Sequence, residues 1–259
     1  MVIAFDLDDT LYFEHDFLES GLKAVAHELQ RQGILESHEA VRILHSKPTP
    51  AECIDALVDV INRLHGEGYI TVAEILRIYR SHFPAIALRD GTVTLLRELQ
   101  RLRIRIALIT DGRSETQRNK IQALGLDDYV NPDFIIISEE TGADKTSPLP
   151  FERLAALCPE EDSFVYIGDN PAKDFHWPNE MGWTTIQIDN QEGAAIHPQT
   201  PSPLQKYNAK YHIRHLSELL GIDGVYGIWR YISGVVQRPV RLSAKPVERY
   251  ISVAPVRLQ

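Results

Sequence analysis

The stretch that decides the fold stands at the start of the chain and reads VIAFDLDDT over residues 2–10. Its first four residues are apolar and β-prone, which predicts a short buried strand that ends at Asp6. Ligands of open α/β sheets bind outside the carboxyl ends of the strands, so a ligand is expected beside Asp6 and Asp8. Carboxylates at positions i and i+2 can converge on one hard cation. One carboxylate can also attack a phosphoryl group while a second serves as general acid and base.

Strand and helix patterns alternate through the second half of the chain. Apolar strands are predicted at 104–109, 134–137, 164–167 and 184–188, with an edge strand at 211–213. Helical patterns are predicted at 92–102, 115–124, from about 150, at 172–181 and at 216–220, and residues 191–203 are predicted to form a loop. This alternation predicts an α/β fold with a doubly wound parallel sheet and helices on both faces.

A block of helical patterns interrupts the alternation directly after the first strand. Apolar residues recur at helical spacing from Phe17 to Leu29, and further helices are predicted at 37–45, 51–64 and 72–83. No strand pattern separates them. We therefore expect an all-helical domain, residues 14–88, inserted into a core made of residues 1–13 and 89–222.

Charge and cysteine content narrow the class of protein. The formal net charge of -9 disfavours non-specific binding to nucleic acid. The two cysteines, Cys53 and Cys158, form no disulfide or metal-binding pattern, which favours a reducing compartment. No stretch has the pattern of a signal peptide or a membrane span. We expect a cytoplasmic protein with no nucleic-acid or membrane partner.

A second set of polar residues ends the strand predicted at 104–109, in the order Thr110, Asp111, Gly112. A hydroxyl and exposed backbone N–H groups at such a strand end suit a phosphate. These three residues are predicted to bind the substrate.

Two more elements follow strands on the same edge of the predicted sheet. Lys145 precedes a helix that begins with proline, and it can neutralise phosphate charge in a transition state. Asp169 follows the strand at 164–167 and can complete a cation site with Asp6 and Asp8. Asp174 can hold Lys145, or a metal-bound water, from a second layer of contacts.

The set of four elements closely resembles the haloacid dehalogenase-like hydrolase superfamily over residues 1–221. That family's first motif, DxDxT, matches Asp6, Asp8 and Thr10, and its second, a Thr or Ser that ends a strand, matches Thr110. The third matches the lysine of KTSPLPF at 145–151, where Thr146 replaces the usual first proline. The fourth, Gly-Asp with a later Asp, matches the GDNPAKD run at 168–174.

The resemblance implies a Rossmann-like core, a mobile helical cap of the family's first cap class, and a phosphatase. It implies a Mg²⁺-dependent phosphomonoesterase that hydrolyses a small phosphorylated metabolite, of sugar phosphate or nucleotide type, through an aspartyl-phosphate on Asp6. Asp8 is expected to serve as general acid and base, and Lys145 to neutralise the negative charge of the phosphoryl oxygens. The expected metal ligands are Asp6, Asp8 through its backbone carbonyl, and Asp169. Asp174 and Thr10 are expected to support these ligands from a second layer of contacts.

Three alternatives stay open from the sequence. A dehalogenase of the same family would not need the second acid, Asp8. A phosphomutase would retain all four motifs. A partner-binding or regulatory protein could retain the fold without catalysis. Four polar residues of the helical block could contact a substrate or could equally lie on the surface: Arg42, His45, Lys47 and Arg63.

Residues 223–259 lie beyond the four motifs and carry a net positive charge on an otherwise acidic chain. The run from Val225 to Ile232 is dense in apolar and aromatic residues, which disfavours a solvated segment. We expect this extension to dock on its own core or on a second subunit, as a homo-oligomer, and to hold no catalytic residue.

Overall fold

The computed structural model describes residues 1–191 and 194–221. Its sheet has six strands: β1 (Val2–Phe5), β2 (Arg105–Thr110), β3 (Ile135–Ile137), β4 (Phe164–Gly168), β5 (Thr184–Ile188) and β6 (Tyr211–Ile213). All neighbouring pairs are parallel, in the order β3-β2-β1-β4-β5-β6. The predicted α/β class with a parallel sheet is confirmed.

The α-helices are α1 (Glu14–Arg31), α2 (Ser37–Leu44), α3 (Pro50–His65), α4 (Val72–Ser81), α5 (Thr92–Arg101), α6 (Ser114–Ala123), α7 (Ser138–Thr141), α8 (Leu149–Leu157) and α9 (His176–Glu180). Short 3-10 helices span Leu126–Asp128, Pro132–Phe134, Gln205–Tyr207 and Leu216–Gly221. Among the described residues, none of these helices is both long and apolar enough to cross a membrane.

Strand β1 lies at the centre of the sheet because it pairs with β2 on one side and β4 on the other. Phe5 stands opposite Leu108 in β2 and Ile167 in β4. Every residue of β1 is buried, as expected for a parallel strand covered on both faces. The residues that follow β1, β2 and β4 are therefore brought to one edge of the sheet.

The chain forms two compact units. The first holds Met1–Phe13, Leu88–Gly112 and the described residues from Gly125 onward. The second holds Glu14–Ala87 together with Arg113–Leu124, so it includes α6 as well as the four helices of the predicted insertion. The role of the second unit as a cap stays a prediction.

The helical unit has its own apolar core, with fully buried side chains such as Leu29, Leu57 and Ile61. Two of its helices begin with reciprocal capping boxes, in which Thr49 pairs with Glu52 and Thr71 pairs with Glu74. Each box satisfies backbone N–H groups that the first turn of a helix leaves without partners.

One helix is shorter than its sequence pattern indicates. The pattern predicts a helix over 172–181, but α9 begins only at His176. The Asp174 carboxylate accepts the backbone N–H groups of Asp169 and Asn170, which holds the preceding residues in a turn. Pro178, inside the predicted span, has no N–H to donate to the Asp174 carbonyl, so a regular helix cannot run through from residue 172. The predictions for residues 223–259 lie outside the described residues.

Candidate active site

The edge of the sheet at the ends of β1, β2 and β4 gathers the predicted polar residues. Asp6 follows β1, Thr110 ends β2, and Asp169 follows β4. The Asp6 N–H donates to the carbonyl of Ile167 in β4, at 2.8 Å, which continues the strand pairing up to the first acid. Asp6, Thr110 and Asp169 are each at most 4% exposed.

Lys145 reaches this edge from the loop before α8 and lies between two carboxylates. Its Nζ is 2.7 Å from Asp6 Oδ1 and 2.6 Å from Asp174 Oδ1. Burial alone would lower the pKa of Lys145, but the nearby charges, led by those of Asp174 and Asp6, together hold the pKa well above its usual value. Lys145 is therefore a fixed positive charge beside the predicted nucleophile.

Asp174 is fully buried and accepts from four groups of the described residues. Its Oδ1 faces Lys145 Nζ at 2.6 Å and the Tyr166 hydroxyl at 3.1 Å. Its Oδ2 accepts the N–H groups of Asp169, at 3.1 Å, and Asn170, at 2.8 Å. A carboxylate offers about four acceptor positions, so these donors fill its capacity. This arrangement favours a supporting role for Asp174 rather than direct ligation of a metal.

The carboxylates of Asp6, Asp169 and Asp174 form a cluster, in which Asp6 and Asp169 are suited to hold a divalent cation. One oxygen from each lies within 4.8 Å of the others. Burial raises the pKa of Asp6 despite the opposing charge of Lys145, and burial with the charges of Asp174 and Asp6 raises the pKa of Asp169. Within the described part of the chain, the buried Asp169 Oδ2 has no hydrogen-bond partner. Hard oxygen donors with excess negative charge are what Mg²⁺ requires.

The remaining residues of the first motif lie on the turn after β1. The Thr10 hydroxyl donates to Asp6 Oδ2 at 3.4 Å, a long bond that helps to orient the carboxylate. The Tyr12 hydroxyl donates to Asp8 Oδ1. Asp8 is half-buried whereas Asp6 is buried, so the two acids of the motif occupy different surroundings.

The predicted phosphate-binding residues are placed together but already have partners. Asp111 accepts the Lys145 N–H at 3.0 Å and lies 3.2 Å from Lys173 Nζ. Its carboxylate therefore contacts both the third and the fourth motif. The Gly112 N–H donates to the Ser138 hydroxyl at 2.9 Å. A phosphate that bound the Gly112 N–H would have to displace this hydroxyl. The substrate-binding roles of Thr110, Asp111 and Gly112 stay predictions.

The polar residues singled out in the helical unit lie at its surface. Arg42 and Arg63 have side chains 76% and 78% exposed, and each is near an acid one turn away on its own helix. His45 lies 3.0 Å from Glu19. These contacts support the surface interpretation that the sequence left open.

Two tyrosines of the site were not singled out from the sequence. Tyr12 stands four residues after Asp8, a spacing that a turn can close, so this pair could have been noticed. Tyr166 lies inside an apolar strand and is fully buried, and its hydroxyl reaches Asp174 eight positions later. No local pattern predicts that contact.

The family model of the haloacid dehalogenase-like hydrolases matches residues 1–175, which include all four motifs. The chain therefore belongs to the haloacid dehalogenase-like hydrolase family, as its motifs predicted.

Curated relatives carry phosphatase names. A glyceraldehyde 3-phosphate phosphatase of Methanocaldococcus jannaschii is 28% identical over 193 residues, which cover 72% of this chain and 83% of the relative. A ribulose-1,5-bisphosphate 5-phosphatase of Halopiger xanaduensis is 26% identical over 250 residues, which cover 84% of this chain and 96% of the relative. Together with family membership, these findings confirm the predicted class of enzyme, a phosphatase.

Solved structures share the fold. A 2-haloacid dehalogenase from Pseudomonas syringae aligns with a TM-score of 0.56 at 21% identity, over 88% of this chain and 98% of its own. YfnB from Bacillus subtilis, in a structure bound to magnesium, aligns with a TM-score of 0.55 at 21% identity, over 85% of this chain and 96% of its own. At these identities the likeness establishes the fold alone.

Proposed function

We propose that this chain is a Mg²⁺-dependent phosphomonoesterase that hydrolyses a small phosphorylated metabolite through an aspartyl-phosphate on Asp6. The observation that carries the proposal is the buried cluster in which Lys145 Nζ lies 2.7 Å from Asp6 Oδ1. The names of the two curated relatives support a phosphorylated sugar as the substrate class. A nucleotide, which neither name supports, is the second candidate.

The first chemical step is attack by the Asp6 carboxylate on phosphorus. A bond forms between an Asp6 oxygen and phosphorus as the bond to the ester oxygen breaks. The leaving oxygen takes a proton from Asp8. The positive charge of Lys145 offsets the charge on the phosphoryl oxygens, and such electrostatic stabilisation supplies most of the catalysis in phosphoryl transfer.

The second step releases phosphate from Asp6. Asp8, now ionised, takes a proton from a water molecule that attacks the aspartyl-phosphate, so Asp8 returns to its protonated form. The half-buried position of Asp8 is consistent with an acid that exchanges protons with solvent. The carboxylates of Asp6 and Asp169, with the Asp8 backbone carbonyl, would hold Mg²⁺, which supplies positive charge at the phosphate when it is bound.

The proposal is tested by measuring phosphate release from a panel of phosphorylated sugars, nucleoside monophosphates and small phosphorylated acids. The wild-type chain is compared with Asp6→Asn, and with Asp90→Asn as a matched control because Asp90 is exposed. We expect Mg²⁺-dependent release by the wild type and by Asp90→Asn, and background release by Asp6→Asn. Formation of an isomerised phosphate ester without free phosphate would indicate a phosphomutase instead.

A further inference from the structure

The backbone of Asp169 is held at both of its polar groups. Its N–H donates to Asp174 Oδ2 at 3.1 Å, within the fourth motif. Its carbonyl accepts from Gln199 Nε2 at 2.8 Å, and Gln199 lies beyond the residues that the family model matches. A residue outside the four motifs therefore contacts the backbone of Asp169.

Gln199 uses its whole side-chain amide to join the ends of two strands. Besides Asp169, its Nε2 donates to the carbonyl of Ile188, the last residue of β5, at 2.9 Å. Its Oε1 accepts the N–H of Asn190 at 2.8 Å. One amide thus connects the loop after β4 to the segment after β5.

Two residues that follow β5, Asn190 and Ile196, form hydrogen bonds with Asp9 in the turn after β1. Asn190 Nδ2 donates to the Asp9 carbonyl at 3.1 Å, and the Ile196 N–H donates to Asp9 Oδ2 at 2.8 Å. Arg89 Nη2 also donates to the Asp9 carbonyl, and it lies 2.5 Å from Asn190 Oδ1.

Asp9 has a φ of 51°, in the left-handed region that non-glycine residues adopt uncommonly. Such a conformation persists only where surrounding contacts impose it. Asp9 is the neighbour of Asp8, so its conformation sets the direction of the Asp8 carbonyl.

We propose that Gln199 and Asn190 are positioning residues that hold the two acidic loops, after β1 and after β4, in the geometry that binds Mg²⁺. This inference rests on the metal site in the proposed function. The contacts of Gln199 and Asn190 with these two loops are made to the backbone carbonyls of Asp169 and Asp9. Each acts through a backbone carbonyl of a loop that carries a metal-binding acid, and outer contacts of this type tune metal affinity.

The test is calorimetric titration of Mg²⁺ into the full chain, with melting temperature measured in parallel. Gln199→Met retains a similar side-chain volume but loses the amide, and we expect its Mg²⁺ affinity to fall roughly ten-fold. His197→Ala is the matched control, because His197 is exposed in the same segment, and its affinity should equal that of the wild type. A purely structural role would lower the melting temperature and leave the affinity unchanged.

Asn190→Ala provides a second variant in case Gln199→Met does not fold. It removes the bond to the Asp9 carbonyl and retains the backbone N–H that Gln199 accepts, so we expect a smaller, several-fold loss of Mg²⁺ affinity. Wild-type affinity in the folded variants would overturn the positioning role and leave the proposed function standing. Failure of the wild type itself to bind Mg²⁺ would overturn both this inference and the metal site of the proposed function.

Discussion

Lys145 and Asp174 form a buried ion pair, with Nζ 2.6 Å from Oδ1, and the same ammonium lies 2.7 Å from Asp6. Removing a buried charge while its partners remain typically costs about 3–5 kcal/mol. Lys145→Met should therefore lower the free energy of unfolding by an amount of this order and reduce turnover strongly. Urea unfolding and steady-state kinetics measure the two effects.

Lys173→Met is the matched control for Lys145→Met. Lys173 also pairs with an acid of the site, Asp111, at 3.2 Å, but its side chain is 40% exposed. Exposed ion pairs contribute about 0–1 kcal/mol, so the loss of stability should be small. An equal loss of stability in both variants would contradict the view that burial makes Lys145 essential to the cluster.

Asp8→Asn tests the acid and base role. The substitution should slow both phosphoryl transfer to Asp6 and release of phosphate from it. Substrates with good leaving groups, such as p-nitrophenyl phosphate, need little protonation, so their first step should slow less than that of alkyl phosphates. Single-turnover kinetics separate the two steps. An equal loss in the first step for both kinds of substrate would assign Asp8 to metal binding or structure alone.

Tyr12→Phe separates the hydroxyl that contacts Asp8 from Asp8 itself. The variant loses the bond to Asp8 Oδ1 but retains the acid. We expect a modest fall in turnover, measured by steady-state kinetics, because one hydrogen bond to the acid is lost while the acid itself remains. Kinetics as damaged as those of Asp8→Asn would contradict this expectation, because the Tyr12 hydroxyl would then be as important as the acid it contacts.

Mg²⁺ should stabilise the chain more at high pH than at low pH. Burial raises the pKa of Asp6 and Asp169 in the folded chain. Their contribution to stability is therefore present at low pH and is lost as pH rises through the raised pKa. Mg²⁺ binds the ionised carboxylates and should restore the stability that is lost at high pH. The Mg²⁺-induced rise in melting temperature should be larger at about pH 8 than at about pH 6.

Asp169→Asn is the control for the pH experiment, since it removes one of the two carboxylates that would bind the cation. The rise in melting temperature that Mg²⁺ induces in this variant should be small at both pH values. Removal of metal with EDTA should also abolish the wild-type activity, and added Mg²⁺ should restore it. A stabilisation by Mg²⁺ that is independent of pH, or that persists in Asp169→Asn, would place the cation elsewhere.

Gly168→Ala should disrupt the site through a direct clash. A Cβ at this position would lie 2.5 Å from Asp174 Oδ2 and 2.7 Å from its Cγ. The carboxylate would have to move away from Lys145 and from the N–H groups it accepts. We expect lower stability and a large loss of turnover, measured by thermal unfolding and kinetics.

Gly182→Ala distinguishes a clash from simple loss of backbone freedom. Gly182 has a φ of +77°, and no described atom beyond its chain neighbours lies within 4 Å of the place a Cβ would occupy. Alanine there therefore meets only conformational strain of about 1–2 kcal/mol. This control should lose stability but retain turnover. Unchanged turnover in Gly168→Ala would show that the position of Asp174 is not critical.

The sequence by itself determined the class of the fold and placed the acids of the candidate site at the ends of strands. Apolar runs that end in acids, as at Asp6 and Asp169, identify buried parallel strands and place the acids at their carboxyl ends. That inference needs only the periodicity of the chain and the geometry of parallel sheets. The inserted helical block was visible for the same reason, because helical spacing is a local property.

The tertiary structure alone decided which partners each acid has. Asp174 accepts from Lys145, which comes from the loop before α8, and Asp169 is held by Gln199, which is 30 positions away in the chain. Such contacts depend on the three-dimensional conformation of a loop, and the periodicity of the sequence does not specify that conformation. The helix predicted over 172–181 is shorter for a local reason, because Pro178 has no N–H to donate to the Asp174 carbonyl and α9 therefore begins only at His176. Periodicity therefore predicts where strands end, whereas the hydrogen bonds that orient the acids depend on three-dimensional packing.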